Sequence, residues 1–151
     1  MENNQQDKLQ NPVSIESGIK TEFTSEVTHL VKNLFYPSES DEPIEWFKFN
    51  ANVKDGLTVS DLEFFLGYPP STKAEEISTD LFWEPLLAVE EWYGDEERAQ
   101  VETFKSVKQL LETNLNHLKA FRVGQIEIDL YLVGKLNEKE WGGLKTLLVE
   151  T

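Results

Sequence analysis

The stretch QIEIDLYLVG, residues 125–134, constrains the fold most. Ile126, Ile128, Leu130 and Leu132 alternate with Glu127, Asp129 and Tyr131, and a period of two places the first set on one face of a β-strand. With the preceding AFRV it forms a pair of strands around Gly124. Such a pair is marginal in water without further strands and a cover for its apolar face. DEERAQVETFKSVKQLLETNL, residues 95–115, supplies the cover. Its Ala99, Val101, Phe104, Val107, Leu110, Leu111 and Leu115 recur at helical spacing, with Asp95 as cap and Glu96 and Glu97 complementing the helix dipole.

The rest of the chain fits the same plan. Residues 1–17 form a polar, Gln/Asn-rich lead that reads as disordered, and the domain spans 18–151. Phe23, Val27, Leu30, Val31 and Leu34 predict a first amphipathic helix. YPSESDEP reads as a loop, and IEWFKFN as a strand. Thr58 caps a short helix carrying Leu62, Phe64, Phe65 and Leu66, which Gly67 and Pro69 end. A short strand near 75–78, a helical segment over 80–87 and a loop through Trp92 and Tyr93 complete the middle. Trp141, Gly142 and Gly143 are expected to turn the chain into a terminal strand, LKTLLVET, where burial of Leu147 and Val149 would fix Thr151 in space. The expected architecture is α+β: helices flanking a mainly antiparallel sheet.

At 151 residues one domain can bury a sizeable core. There is no cysteine, which rules out disulfides and thiolate metal sites and suits a reducing compartment, so a cytoplasmic location is expected. No apolar run reaches the roughly 18 residues of a membrane span, and the start lacks the basic and apolar regions of a signal peptide. Against 14 Lys and Arg stand 28 Asp and Glu, a formal charge of −14. That balance disfavours direct nucleic-acid or membrane binding and favours a basic protein partner.

Catalytic signatures are missing: no HExxH, no Gly-rich phosphate loop, no GxSxG, no EF-hand spacing. His29 and His117, the only histidines, read as surface or capping residues. Two stretches concentrate negative charge. SESDEPIE carries Glu39, Asp41, Glu42 and Glu45 without a basic residue. EPLLAVEEWYGDEE carries Glu84, Glu90, Glu91, Asp95, Glu96 and Glu97 beside Trp92 and Tyr93. The carboxylates fit a solvated face and the aromatics a core plug; equally, acidic groups beside Trp and Tyr fit a protein interface, where those rings are favoured anchors.

LFYPSESDEPIEWF, EEWYGDEERAQVETF and FRVGQIEIDLYLVG, finishing on VET, resemble the nuclease A inhibitor family (NuiA). The resemblance covers residues 34–47 and 90–151. It implies an α/β/α sandwich similar to plant pathogenesis-related proteins. It also implies a partner, a basic, metal-dependent, sugar-non-specific nuclease; capture by a monomer in a 1:1 complex is the default expectation. By matching positions, Glu39 is the glutamate inserted beside the partner's basic groups, and Thr151 is the terminal threonine brought to its Mg²⁺. Trp92, with Glu90 and Glu91, lies in the same contact surface, where the family shows Gln-Asp-Trp. The resemblance implies no enzymatic activity and no cofactor beyond the Mg²⁺ bridged in the complex. The alternatives from the residues alone are an acidic scaffold or adaptor for another basic protein, and a small hydrolase using the carboxylates.

Overall fold

The structure, a computed structural model, describes residues 12–150, with side chains from Glu22 onward. In chain order the elements are α1 (Pro12–Val31), β1 (Phe35–Tyr36), β2 (Glu42–Pro43), β3 (Glu45–Asn50), α2 (Val59–Leu66), β4 (Ala74–Ile77), α3 (Thr79–Leu87), α4 (Asp95–Asn114), β5 (Asn116–Gly124), β6 (Glu127–Lys135) and β7 (Glu140–Val149). A five-stranded antiparallel sheet runs in the order β3-β7-β6-β5-β4, while β1 and β2 form a separate two-stranded ribbon. This is the α+β fold that the alternation in β6 and the stripe on α4 predict. None of its helices among the described residues is long and apolar enough to cross a membrane.

The two sheet faces bury different sets of side chains, as a period of two requires. Ala120, Leu130, Leu132 and Leu144 face a core filled by Phe23 and Val27 of α1, Phe82 and Leu86 of α3, and Phe104, Val107 and Leu111 of α4. Phe121, Val123, Tyr131, Val133 and Trp141 face the other way, against Leu62 of α2 and the half-buried Phe47 and Phe49. The first face is covered by three helices; the second is covered in part, by α2 and the segments that flank it, with Phe47 and Phe49 of β3 as neighbours on the same face. Tyr131, expected among the outward residues, is therefore buried. The inward expectations for Ile126 and Ala99 fail: Ile126 lies before β6 begins and is exposed, and Ala99 sits on the solvent side of α4.

Local chemistry explains the element ends. Thr58 caps α2 as predicted: its Oγ1 accepts from Asp61 N at 3.1 Å while Asp61 Oδ2 accepts from Thr58 N at 3.0 Å, a reciprocal capping box. Thr58→Ala should cost about 1 kcal/mol in chemical denaturation. The helix stops at Gly67, whose φ of 81° is left-handed backbone that a side chain would strain. For α4 the cap is Gly94, with Asp95 as the first helical residue; Glu97 Oε1 accepts from Gly94 N at 2.9 Å. The predicted turn at Trp141, Gly142 and Gly143 is instead the interior of β7, and residues 136–139 make the turn. Asn137 organises it, its Oδ1 accepting from Lys139 N and Glu140 N and its Nδ2 donating to Glu140 Oε1 at 2.9 Å. That bond, together with Lys48 at 3.4 Å, holds the Glu140 carboxyl below the usual range.

Candidate functional site

The acidic stretch after α1 is a fastened hairpin rather than a free loop. β1 pairs antiparallel with β2, Phe35 opposite Pro43 and Tyr36 opposite Glu42, so residues 37–41 form a short tip. Within the tip, Asp41 adopts a φ of 47°, which Asp tolerates better than most residues, and its Oδ1 accepts from Ser38 N at 3.4 Å. One leg is held by Tyr36, whose buried hydroxyl donates to Phe82 O of α3 at 2.7 Å. Burial pushes that phenol well above its ordinary pKa, so it remains a donor. The other leg is held by Thr146 of β7, whose hydroxyl donates to Pro43 O at 2.9 Å. Glu39 is exposed on the tip between these two fastenings.

Next to the tip lies the end of β7. That strand runs between β3 and β6, its register with β6 holds through Glu127 opposite Val149, and Glu150 N donates to Ile126 O at 2.9 Å. Arg122 Nη2 pairs with Glu150 Oε1 at 2.9 Å. Leu148, rather than Leu147 or Val149, packs against the main core; the latter two are half-buried on the opposite face. Ser38, Glu39, Leu148, Val149 and Glu150 line one shallow concavity of about 410 Å³. Thr151 lies outside the described residues.

On the other side of the hairpin is the loop between α3 and α4. Trp92 there is 73% exposed, which excludes the core-plug reading for its ring. It meets the half-buried Tyr93 edge-on at 4.7 Å between centroids. The loop is held at both ends: Tyr93 N donates to Glu90 O at 3.1 Å, and Tyr93 O accepts from Arg98 Nε at 3.2 Å. Glu90 and Glu91 are exposed beside it. A groove of about 270 Å³ separates this loop from the hairpin, with Pro37 and Asp41 on one wall and Trp92 and Tyr93 on the other. Glu39 thus neighbours the end of β7 on one side, and its hairpin neighbours Trp92 on the other.

Two supports of this face are absent from the sequence reading. Tyr36 sits in a segment with no strand periodicity. Thr146 did leave a signal: it shares a strand face with Leu144 and Leu148, and a hydroxyl on an apolar face calls for a hydrogen-bond partner. Elsewhere, Tyr68 donates to Asp129 Oδ2 at 2.5 Å and also bonds the Tyr131 hydroxyl. Burial, and for Tyr68 the bond to Asp129, raises the pKa of both phenols, so they act as donors strapping the segment after α2 across the sheet. His29 and His117 are exposed, one in α1 and one in β5. Among the described residues no group of three or more His, Cys, Asp or Glu could hold a metal ion.

An acidic α+β domain with a fastened carboxylate hairpin, a fixed strand end and an exposed tryptophan on adjoining surface offers the kind of charge and aromatic area that protein interfaces use. The chain belongs to the nuclease A inhibitor-like protein family, whose sequence model matches residues 21–151. Membership implies a nuclease as partner and inhibition rather than catalysis as the activity. No curated protein shows significant similarity to the chain.

Proposed function

We propose that this chain inhibits a metal-dependent, sugar-non-specific nuclease by filling its active-site cleft as a monomer in a 1:1 complex. Glu39 takes the place of the scissile phosphate among the nuclease's basic groups, presenting negative charge without a bond to cleave. Thr151 brings oxygen ligands to the nuclease's Mg²⁺, a hard cation that prefers oxygen. Trp92, with Glu90 and Glu91, extends the contact beyond the catalytic centre. The chain supplies no cofactor of its own.

One observation carries this reading: Glu39 and the last described residues of the chain, Leu148 to Glu150, line the same concavity. A groove that receives Glu39 is therefore within reach of whatever follows Glu150. The pairing through Glu150 N fixes the chain up to that residue, so binding need not order Leu148 to Glu150. The charge of −14 favours fast encounter with a basic surface, up to about 10⁸ M⁻¹s⁻¹ at low salt and slower as salt rises.

The test is a titration of such a nuclease with the purified chain, using DNA and RNA as substrates. Activity on both should fall to a stoichiometric end point, and extending the chain beyond Thr151 should abolish tight inhibition. Full nuclease activity at a large molar excess of the chain would defeat the proposal. The hairpin fastening gives a further expectation. Thr146→Val keeps the shape but removes the donor to Pro43 O, so stability should fall by about 1 kcal/mol. The complex should also dissociate faster, and Thr146→Ser should restore both.

A further inference from the structure

The groove between the hairpin and the Trp92 loop has no role in the reading above beyond its tryptophan. Its floor is apolar, built from Pro85, Leu86, Val101 and Phe104. Its walls carry aromatic surface that folding leaves in water: Phe35 is 51% exposed and Trp92 73%. Carboxylates stand at its lip, Asp41 from the hairpin and Glu97 from the first turn of α4. Each accepts one local backbone N–H, Asp41 from Ser38 and Glu97 from Gly94, bonds that orient it. Among the described residues the ion pairs lie elsewhere, and neither Asp41 nor Glu97 joins one.

We infer that this groove receives an arginine side chain from the nuclease, outside its catalytic centre; the inference rests on the nuclease being the partner. An arginine satisfies every part of the groove at once. Its aliphatic stem covers Phe35 and the apolar floor, its planar guanidinium stacks on the indole face, and its fork of donors meets carboxylate oxygens at the lip. Lysine fits worse, because its ammonium is strongly hydrated and cannot stack. A purely apolar side chain would leave the lip carboxylates facing a partner with no countercharge, desolvating them without compensation. Charge complementarity therefore decides among the occupants: an acidic lip on a chain of charge −14 selects a cation, and the aromatic walls select the guanidinium.

The variants can be chosen so that the fold is untouched. Asp41→Asn keeps a residue that tolerates the left-handed φ, and Glu97→Gln keeps an acceptor for the Gly94 N–H. Trp92→Ala removes a ring that is mostly in solvent. Binding kinetics are measured between each variant and the nuclease, whose surface arginines are changed to lysine one at a time. Trp92→Ala, and the pair Asp41→Asn with Glu97→Gln, should each raise the dissociation rate by about tenfold. One Arg→Lys nuclease should show a similar loss against the wild-type chain and no further loss against Trp92→Ala. If no arginine shows that coupling, or if the groove variants bind as tightly as wild type while Glu39→Ala does not, the inference is overturned alone. Groove variants that weaken binding while Glu39→Ala inhibits normally would support the inference and remove the active-site reading. A wild-type chain that binds no such nuclease overturns both.

Discussion

Glu39→Ala is expected to weaken nuclease inhibition by well over tenfold while changing stability by no more than about 0.5 kcal/mol, as at other exposed positions. Truncating one partner of a buried, hydrogen-bonded charge pair at an interface costs about 2–5 kcal/mol, and each 1.4 kcal/mol is a factor of ten. In the free chain Glu39 is exposed at the hairpin tip, and the hairpin is held by Tyr36 and Thr146 at its base. Neither fastening involves the Glu39 side chain, so the base of the hairpin stays in place without its carboxylate, and a loss of inhibition larger than any change in stability belongs to the complex. Glu39→Gln separates charge from shape: a phosphate mimic needs the charge, so Gln should inhibit nearly as poorly as Ala. Removal of Thr151 should also cost more than about tenfold, and the two losses should be less than additive if both oxygen-bearing residues address one cleft. Inhibition constants unchanged by Glu39→Ala and by Thr151 removal would sink the mechanism.

The sequence displays the parts of this molecule that follow a simple period. The α4 stripe, the Thr58 cap and the β6 alternation are visible because each depends on a local spacing. Tyr131 escaped because period two distinguishes faces only while one face meets water, and around Tyr131 the second face is closed by Tyr68 from the segment after α2 and by the neighbouring ring of Phe47. Gly142 and Gly143 read as a turn because glycine marks turns and close approaches alike; here the reason is space, not backbone angle. The candidate site divides in the same way. Glu39, Glu90, Glu91 and Trp92 stand in conspicuous acidic runs, so their residue types are legible. That the hairpin lies beside the end of β7 and across a groove from the Trp92 loop depends on pairings between residues about a hundred positions apart, such as Thr146 with Pro43. No local pattern encodes them.

Gly143→Ala is expected to be the most damaging small substitution in the sheet, costing at least about 3 kcal/mol in equilibrium denaturation, with Gly143→Val failing to fold. A Cβ at 143 would sit 1.8 Å from Leu132 O, 2.8 Å from Leu132 C and 2.9 Å from Val133 Cα. All three are backbone atoms of β6, so relief requires moving a strand that is paired on both sides, with β5 and with β7. Gly56 is the control. There a Cβ would approach Lys119 Cε at 3.0 Å, a side-chain atom and not backbone; moving it risks only the bond from Lys119 Nζ to Leu57 O and the exposed pair with Glu76, so Gly56→Ala should cost no more than about 1 kcal/mol. The difference bears on function because β7 also holds Thr146 against the hairpin and carries Leu148 to Glu150 beside Glu39. If β7 is pushed off β6, the two halves of the proposed inhibitory surface lose their common support. Any folded Gly143→Ala protein should then inhibit less well than its residual stability alone accounts for, because the defect enters through the strand that joins Glu39 to the chain's end.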